Sequence, residues 1–443
     1  MSRPKTVLIL GGGLAGLTCA DELARRGVEV TVLEAGPVVG GLARNVQIHD
    51  AGFDLGGHRF FTENPNMMTW LRSLLGDNLL EIGRKSRIRL NGRFFDYPLR
   101  PLNALGNFGF KGAAKVLTDY AGAAIRSHLA PTVSDLSLED WVTRRFGREL
   151  YEVYFRPYSE KVWGIPCREI SAEWAAERIQ LLGLGDAIFR ALRPAGKPKT
   201  YASRFWYPRG GIGVIANTLA ERIRAGGGKV LTGHRVTQID TADGKVKSVL
   251  VGKKRFAADL VVSTMPLTEI GRLTGAPQQA LSRLSFRSLR CVFLIIDQPR
   301  VTEDTWLYFP ESDLSFGRCH EPRNWDPGMA PPGRTSLCLE VFCNEGDEIW
   351  RRKADELVAA CADDLDAVGL VPRGRVIAGD SIAVANAYPV FRVGFRGPLE
   401  EVLASVTALS NLRLTGRTGA YRYENMDVVA ERAIALAREV AGE

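Results

Sequence analysis

The chain has 443 residues, 45% hydrophobic and 24% charged, the proportions of an ordinary globular protein, and it exceeds what one core normally holds, so two connected domains are expected. No stretch of about 18 apolar residues marks a membrane span, and the start runs straight into a strand with no signal-peptide pattern, so a cytoplasmic location is expected. The net charge of +8 comes without a lysine-rich block or an aromatic-interleaved basic stripe, which argues against nucleic acid and leaves a general bias towards anionic ligands.

Thr6–Leu10 is apolar without alternation, the pattern of a strand buried on both faces. Gly11-Gly12-Gly13-Leu14-Ala15-Gly16 follows at once. Gly11 permits the tight turn, Gly13 lets a pyrophosphate approach the backbone, and Gly16 lets helix and strand close together. A helix is predicted over 17–26, stopped by Gly27, with its free N–H groups and dipole favouring phosphate. The next strand, 28–33, leads to Glu34, placed to accept from a ribose diol and to repel a 2′-phosphate, against NADP. Gly36-Pro37-Val38-Val39-Gly40-Gly41-Leu42-Ala43-Arg44 then resembles the second glycine pair of FAD-binding oxidoreductases related to amine oxidases and protoporphyrinogen oxidase. FAD, not NAD, is the cofactor that this resemblance implies.

Further on, Gly56-Gly57-His58-Arg59-Phe60-Phe61 should bring backbone close to a flat ring system, which makes His58 an active-site candidate. A helix is predicted over 67–75 and a hairpin over 86–98 turning at Asn91-Gly92. The helix over 102–129 is weakly amphipathic; packed core is its commoner meaning, and peripheral membrane contact or a lipid-linked substrate is compatible with it. A capping box at Ser137, closed by Asp140 or Glu139, starts the helix to Phe146. Tyr151 to Gly164 carries five aromatics, and the break at Gly164-Ile165-Pro166 should expose the edge of Trp163.

A helix over 214–225 ends in Gly226-Gly227-Gly228; a strand over 229–239, a hairpin through Asp243-Gly244 and the run 258–264 return the chain to the dinucleotide domain. Between 290 and 342 an antiparallel sheet is expected to roof the flavin, followed by a helix over 350–367. Leu412 to Gly419 is another strand-to-glycine turn, and Asn425 or Asp427 should cap the last helix. The seven cysteines (19, 167, 291, 319, 338, 343, 361) are scattered without a CxxC pair, so reduced thiols and no metal site are expected.

The fold class expected is α/β: a Rossmann-type FAD-binding domain (GR2-like) from 1–65, 205–285 and 405–443, with a discontinuous substrate domain combining a mainly helical insertion (66–204) and an antiparallel sheet (286–404). Gly57-His58, Tyr158-Ser159-Glu160-Lys161-Val162-Trp163-Gly164, Gly317-Arg318, Asn386-Ala387-Tyr388-Pro389 and Gly416-Arg417 through Tyr421, Tyr423 and Asp427 together resemble the UDP-galactopyranose mutase family, within the protoporphyrinogen-oxidase-like flavoproteins of the amine oxidase superfamily. That resemblance implies catalytic or substrate-contacting roles for His58, Trp163, Arg318, Tyr388, Tyr421 and Tyr423. It implies FAD contacts from Gly11, Gly13, Leu14, Ala15, Gly16, Glu34, Ala35, Gly41, Leu42, Ala43, Arg44, Gly57, His58, Val236, Gly416, Arg417, Asn425 and Met426.

By the same resemblance the substrate is anionic, a nucleotide-linked or phosphorylated sugar whose anomeric carbon meets N5 of the reduced flavin, and an external reductant is compatible with it. The alternatives are an oxidoreductase of the amine-oxidase type and a non-enzymatic FAD-binding protein. Three departures stand out. Asn425 replaces an acid, the family's mobile-loop arginine falls near Leu182, and Pro208-Arg209-Gly210-Gly211-Ile212 replaces a Gly-Gly-Tyr-Thr turn. Arg178, Arg204 or Arg209 are the candidates to compensate, and a changed substrate is the simpler explanation.

Overall fold

A computed structural model describes residues 4–97, 101–129, 135–178 and 204–443. At its centre is a five-stranded parallel sheet in the order Leu412–Leu414, Leu260–Ser263, Thr6–Leu10, Glu29–Leu33, Lys229–Leu231. The apolar run of the first strand is buried as its lack of alternation requires, with Val7, Leu8, Ile9 and Leu10 at most 2% exposed. The helix Leu14–Ala24 packs on one face of this sheet, against the buried alanines Ala430, Ala433 and Ala437 of the C-terminal helix Met426–Ala441. It begins three residues before the predicted start.

The strand predicted over 229–239 is broken: Lys229–Leu231 belongs to the parallel sheet, and Gln238–Ala242 to a separate three-stranded antiparallel sheet. Between them the chain turns at Gly233 (φ +68°), where the N–H groups of Gly233 and His234 donate to the carbonyls of Gly36 and Glu34. This diversion carries Val236 to the site. The Asp243-Gly244 hairpin forms as expected, with positive φ at both residues.

The second large sheet has seven strands, in the order Val376–Pro389, Phe286–Ile296, Thr335–Cys343, Arg318–His320, Trp306–Tyr308, Ser86–Leu90, Arg93–Asp96. It is antiparallel except where Trp306–Tyr308 runs parallel to Ser86–Leu90. The Asn91-Gly92 hairpin, placed by sequence within the helical insertion, therefore forms the edge of this sheet. A further strand, Arg204–Pro208, pairs with Leu79–Gly83. The turn after it is tied down by Asp54, which accepts from the Tyr207 hydroxyl at 2.7 Å and the Ile212 N–H at 3.0 Å; burial pushes its carboxyl up to about 7.

The helical part comprises Pro65–Leu75, Pro101–Leu129, Leu138–Phe146, Arg156–Trp163 and Ala172–Arg178. The capping box closes on Asp140, and a π-helical turn, Tyr151–Phe155, leads into the aromatic motif. Helix Ala354–Ala367 follows a short turn, Glu348–Arg351, where one helix over 350–367 was expected. The backbone kinks at Gly109 (φ +68°) within the long helix. Among the described residues no helix is long and apolar enough to cross a membrane. Leu182 and the segment around it lie outside the described residues.

Candidate active site

A cavity of about 560 Å³ runs from the first glycine turn to the inner face of the seven-stranded sheet, within the range of ligand pockets. Gly11 takes φ +107°, and a Cβ there would stand 2.2 Å from Thr264 Oγ1. Glu34 accepts from the N–H of Gly12 and of Gly36, each at 2.7 Å, and still lines the cavity. Each carboxylate oxygen keeps acceptor capacity for a ribose hydroxyl. The Gly12 carbonyl accepts from the Gly40 N–H at 2.8 Å, and a Cβ on Gly41 would lie 3.2 Å from Gly13 Cα. Two glycine turns thus form one bare backbone floor.

Two helix N-termini open on this floor. Neither Gly13, before Leu14–Ala24, nor Asn425, before Met426–Ala441, supplies a side-chain cap; in the second helix it is Asp427, in the first turn, whose carboxylate accepts from the N–H groups of Val428 and of its own residue. The end N–H groups of the first helix are left for a ligand, with the dipole favouring anionic atoms. The bare floor and this uncapped end fit FAD.

At the far end the buried Glu340, 2% exposed, pairs with Arg318 and accepts from the Gly57 N–H at 3.2 Å. Arg318 Nη2 also donates to the Tyr388 hydroxyl at 2.5 Å. Desolvation opposes the Arg318 charge, and Glu340 outweighs it, holding the guanidinium above its ordinary value. Burial pushes Tyr388 up to about 12, so its hydroxyl stays protonated and free to donate onward. Arg417 lies 4.7 Å from the Tyr388 ring centroid and 4.3 Å from that of Tyr423. Buried donors without a partner remain on Arg318 (Nε) and Arg417 (Nε, Nη2).

Burial holds His58 down to about 4, and His320 behind it likewise. Both imidazoles are neutral near pH 7. Below the unfolded value of about 6.5 the unfolded chain takes up protons that the folded one refuses, so the histidines' contribution to stability should fall as pH drops towards 4, by on the order of 3 kcal/mol each. The buried Asp54 carboxyl, held up to about 7, takes up its proton in the folded state over the same range and works in the opposite direction. Urea midpoints at pH 7 and pH 5 therefore test this as a difference between proteins: His58→Gln should lose less stability than the parent on going to pH 5, and an identical pH response in the two would refute it.

Of the residues singled out by sequence, Gly11, Gly13, Leu14, Ala15, Glu34, Ala35, Gly41, Leu42, Ala43, Arg44, Gly57, His58, Val236, Arg318, Tyr388, Gly416, Arg417, Tyr423, Asn425 and Met426 all line the cavity. Gly16 does not. It serves the approach of helix to strand, since a Cβ there would fall 2.0 Å from the Gly11 carbonyl oxygen.

Two further expectations need correction. Tyr421 is 1% exposed among Phe286 and Phe391, and its hydroxyl donates to the main-chain carbonyls of Ser285 and Val390, turned away from the cavity. Trp163 exposes no edge: it is 4% exposed, packed on Trp174 and behind Tyr388 and Tyr423. The Arg287 guanidinium fills the space over Gly164 and caps the carbonyls of Val162 and Lys161, folding the ring inward.

Nor do Arg204 and Arg209 compensate for a missing lid arginine. Both are exposed and outside the cavity, Arg204 paired with Glu81 at 3.0 Å. The side chain of Arg178 lies outside the described residues. Sequence reasoning also missed Glu340, Trp306 and Tyr308. For Glu340 a signal existed, a lone acid in the otherwise uncharged strand Thr335–Cys343.

A family model of flavin containing amine oxidoreductases matches residues 14–391. A probable UDP-galactopyranose mutase of Klebsiella pneumoniae is 25% identical over 98% of this chain and 94% of its own. A phytoene dehydrogenase of Streptomyces griseus is 24% identical over 80% and 77%. The crystal structure of a reduced UDP-galactopyranose mutase superposes with a TM-score of 0.86 at 23% identity, covering 100% of this chain and 94% of that one. Cradle, fold and family agree: the chain belongs to the flavin containing amine oxidoreductases and is an FAD-dependent enzyme of mixed α/β fold.

Proposed function

We propose that the protein acts on a nucleotide-linked or phosphorylated sugar, in the manner of a UDP-galactopyranose mutase. The supporting observation is the set of buried, unpartnered guanidinium donors on Arg318 and Arg417. Such donors attract a diphosphate and would repel the cationic amine of an amine-oxidase substrate.

Reduced FAD would supply the nucleophilic nitrogen for the anomeric carbon. Arg318 and Tyr388 would grip the departing diphosphate and stabilise its growing charge. Glu340 holds the Arg318 fork in place, and Arg417 with Tyr423 would face the cofactor side. The neutral His58 adds no charge to the ring face. Trp163 would steady the Tyr388 and Tyr423 rings from behind, and the FAD-binding unit would comprise 1–65, 205–285 and 405–443. Seven buried, unpaired thiols suit a reducing cytoplasm, where an external reductant would prime the flavin.

The test is incubation with UDP-galactopyranose before and after dithionite reduction. Ring-contracted product only after reduction, without net redox change, is the expected result. The stacked Tyr388–Tyr423 pair, 5.9 Å apart, supports a second reading, hydride abstraction from a small molecule. Turnover by the oxidised protein with peroxide release would favour that second reading and overturn the first.

A further inference from the structure

Arg59 lines the same cavity, directly after His58, and none of the roles above uses it. Its guanidinium lies 5.2 Å from the Trp306 ring centroid and 6.0 Å from that of Phe205. Its Nη1 is buried without a hydrogen-bond partner, and among the described residues it forms no ion pair. Burial, first of all, and the like charge of Arg84 press against its ionised form, and the nearby Tyr308, Tyr97 and Tyr423 offset only part of this.

The platform beneath it is built and rigid. A Cβ on Gly57 would fall 2.3 Å from Trp306 Nε1, so the backbone makes room for that ring. Trp306 packs on Trp325 at 4.5 Å, and Trp325 stacks on His320 at 4.7 Å. A guanidinium held on such a platform keeps its orientation without a protein partner, and the cation–π contact returns only part of what desolvation costs. An anionic ligand oxygen would supply the rest.

We infer that Arg59 is a specificity-determining residue, binding an anionic oxygen of the substrate, phosphoryl or carboxylate, against the Trp306–Tyr308 wall. The inference rests on the reading above only in taking the substrate to be anionic.

The test uses the FAD-loaded protein, titrating the bound flavin's absorbance with sodium pyrophosphate, UDP and sodium galacturonate, with methyl galactopyranoside as neutral control. Arg59→Met, which keeps bulk on Trp306, should weaken binding of the anion at least tenfold, and Arg59→Lys should weaken it less. Flavin content, spectrum and the neutral control should not change. Whether pyrophosphate and UDP or galacturonate loses affinity identifies the group bound.

Three results would overturn the inference: affinity within twofold in Arg59→Met, none of the three anions bound by the parent protein, or flavin lost from both variants. If UDP-galactopyranose is not isomerised while Arg59→Met still loses pyrophosphate tenfold, the sugar-mutase reading falls and the role of Arg59 stands.

Discussion

Arg318→Ala should lower folding stability by about 3–5 kcal/mol and remove measurable diphosphate binding, because it leaves Glu340 as an uncompensated buried carboxylate. The Glu340 side chain is 3% exposed and that of Arg318 19%, so in the intact protein the carboxylate depends on Arg318 and not on water for its compensation. The Gly57 N–H at 3.2 Å would be its remaining hydrogen bond. Arg318→Lys keeps the charge but not the planar fork that reaches Glu340 and Tyr388 together, and should fall between the two. Replacing Arg318 and Glu340 together by apolar residues should recover stability without recovering binding, since the cost lies in the orphaned charge. Urea unfolding and flavin-absorbance titration with UDP read the two effects separately. A single Arg318→Ala variant within about 1 kcal/mol of the parent protein would show that Glu340 is not held as described.

Gly16→Val should yield protein that purifies without FAD. A Cβ at this position would stand 2.0 Å from the Gly11 carbonyl oxygen and 3.1 Å from an Ile9 methyl, and the first of these is backbone that cannot rotate away. The helix must lift from the strand, carrying the Leu14 and Ala15 N–H groups off the phosphate position, and overpacking of this kind costs about 1–3 kcal/mol or more. Gly397→Ala is the control. It sits in the helix Arg396–Thr407 with nothing within 4 Å of the added carbon, and should be neutral or slightly stabilising. The ratio of flavin to protein absorbance decides the matter: full FAD occupancy in Gly16→Val would mean that helix and strand can separate without disturbing the cradle.

The same contrast runs through the whole molecule. Where a residue's job depends on its near neighbours, its role was legible beforehand: the Gly11-to-Gly16 turn, the acid Glu34 after the second strand, the Ser137–Asp140 box and the Asp243-Gly244 hairpin all formed. The misplaced elements answered to distant partners. The Asn91-Gly92 hairpin joined the seven-stranded sheet because Trp306–Tyr308 offered it an edge, and the 229–239 strand broke because Gly36 and Glu34 capture the chain at Gly233 and His234.

By itself, then, the sequence determined a dinucleotide cradle and the α/β class, since strand burial, glycine conformations and helix ends follow from spacing along a few dozen residues, and the resemblance of its second glycine pair named FAD as the dinucleotide. Only the tertiary structure decided what faces the substrate end. Glu340 reaches Gly57 across 283 positions; Arg59 comes to rest on Trp306; and Trp163 and Tyr421, aromatic and promising in the sequence, are turned into the core. The orientation of a large side chain depends on which apolar surface or orphaned carbonyl it can satisfy, and those partners come together only when distant segments pack.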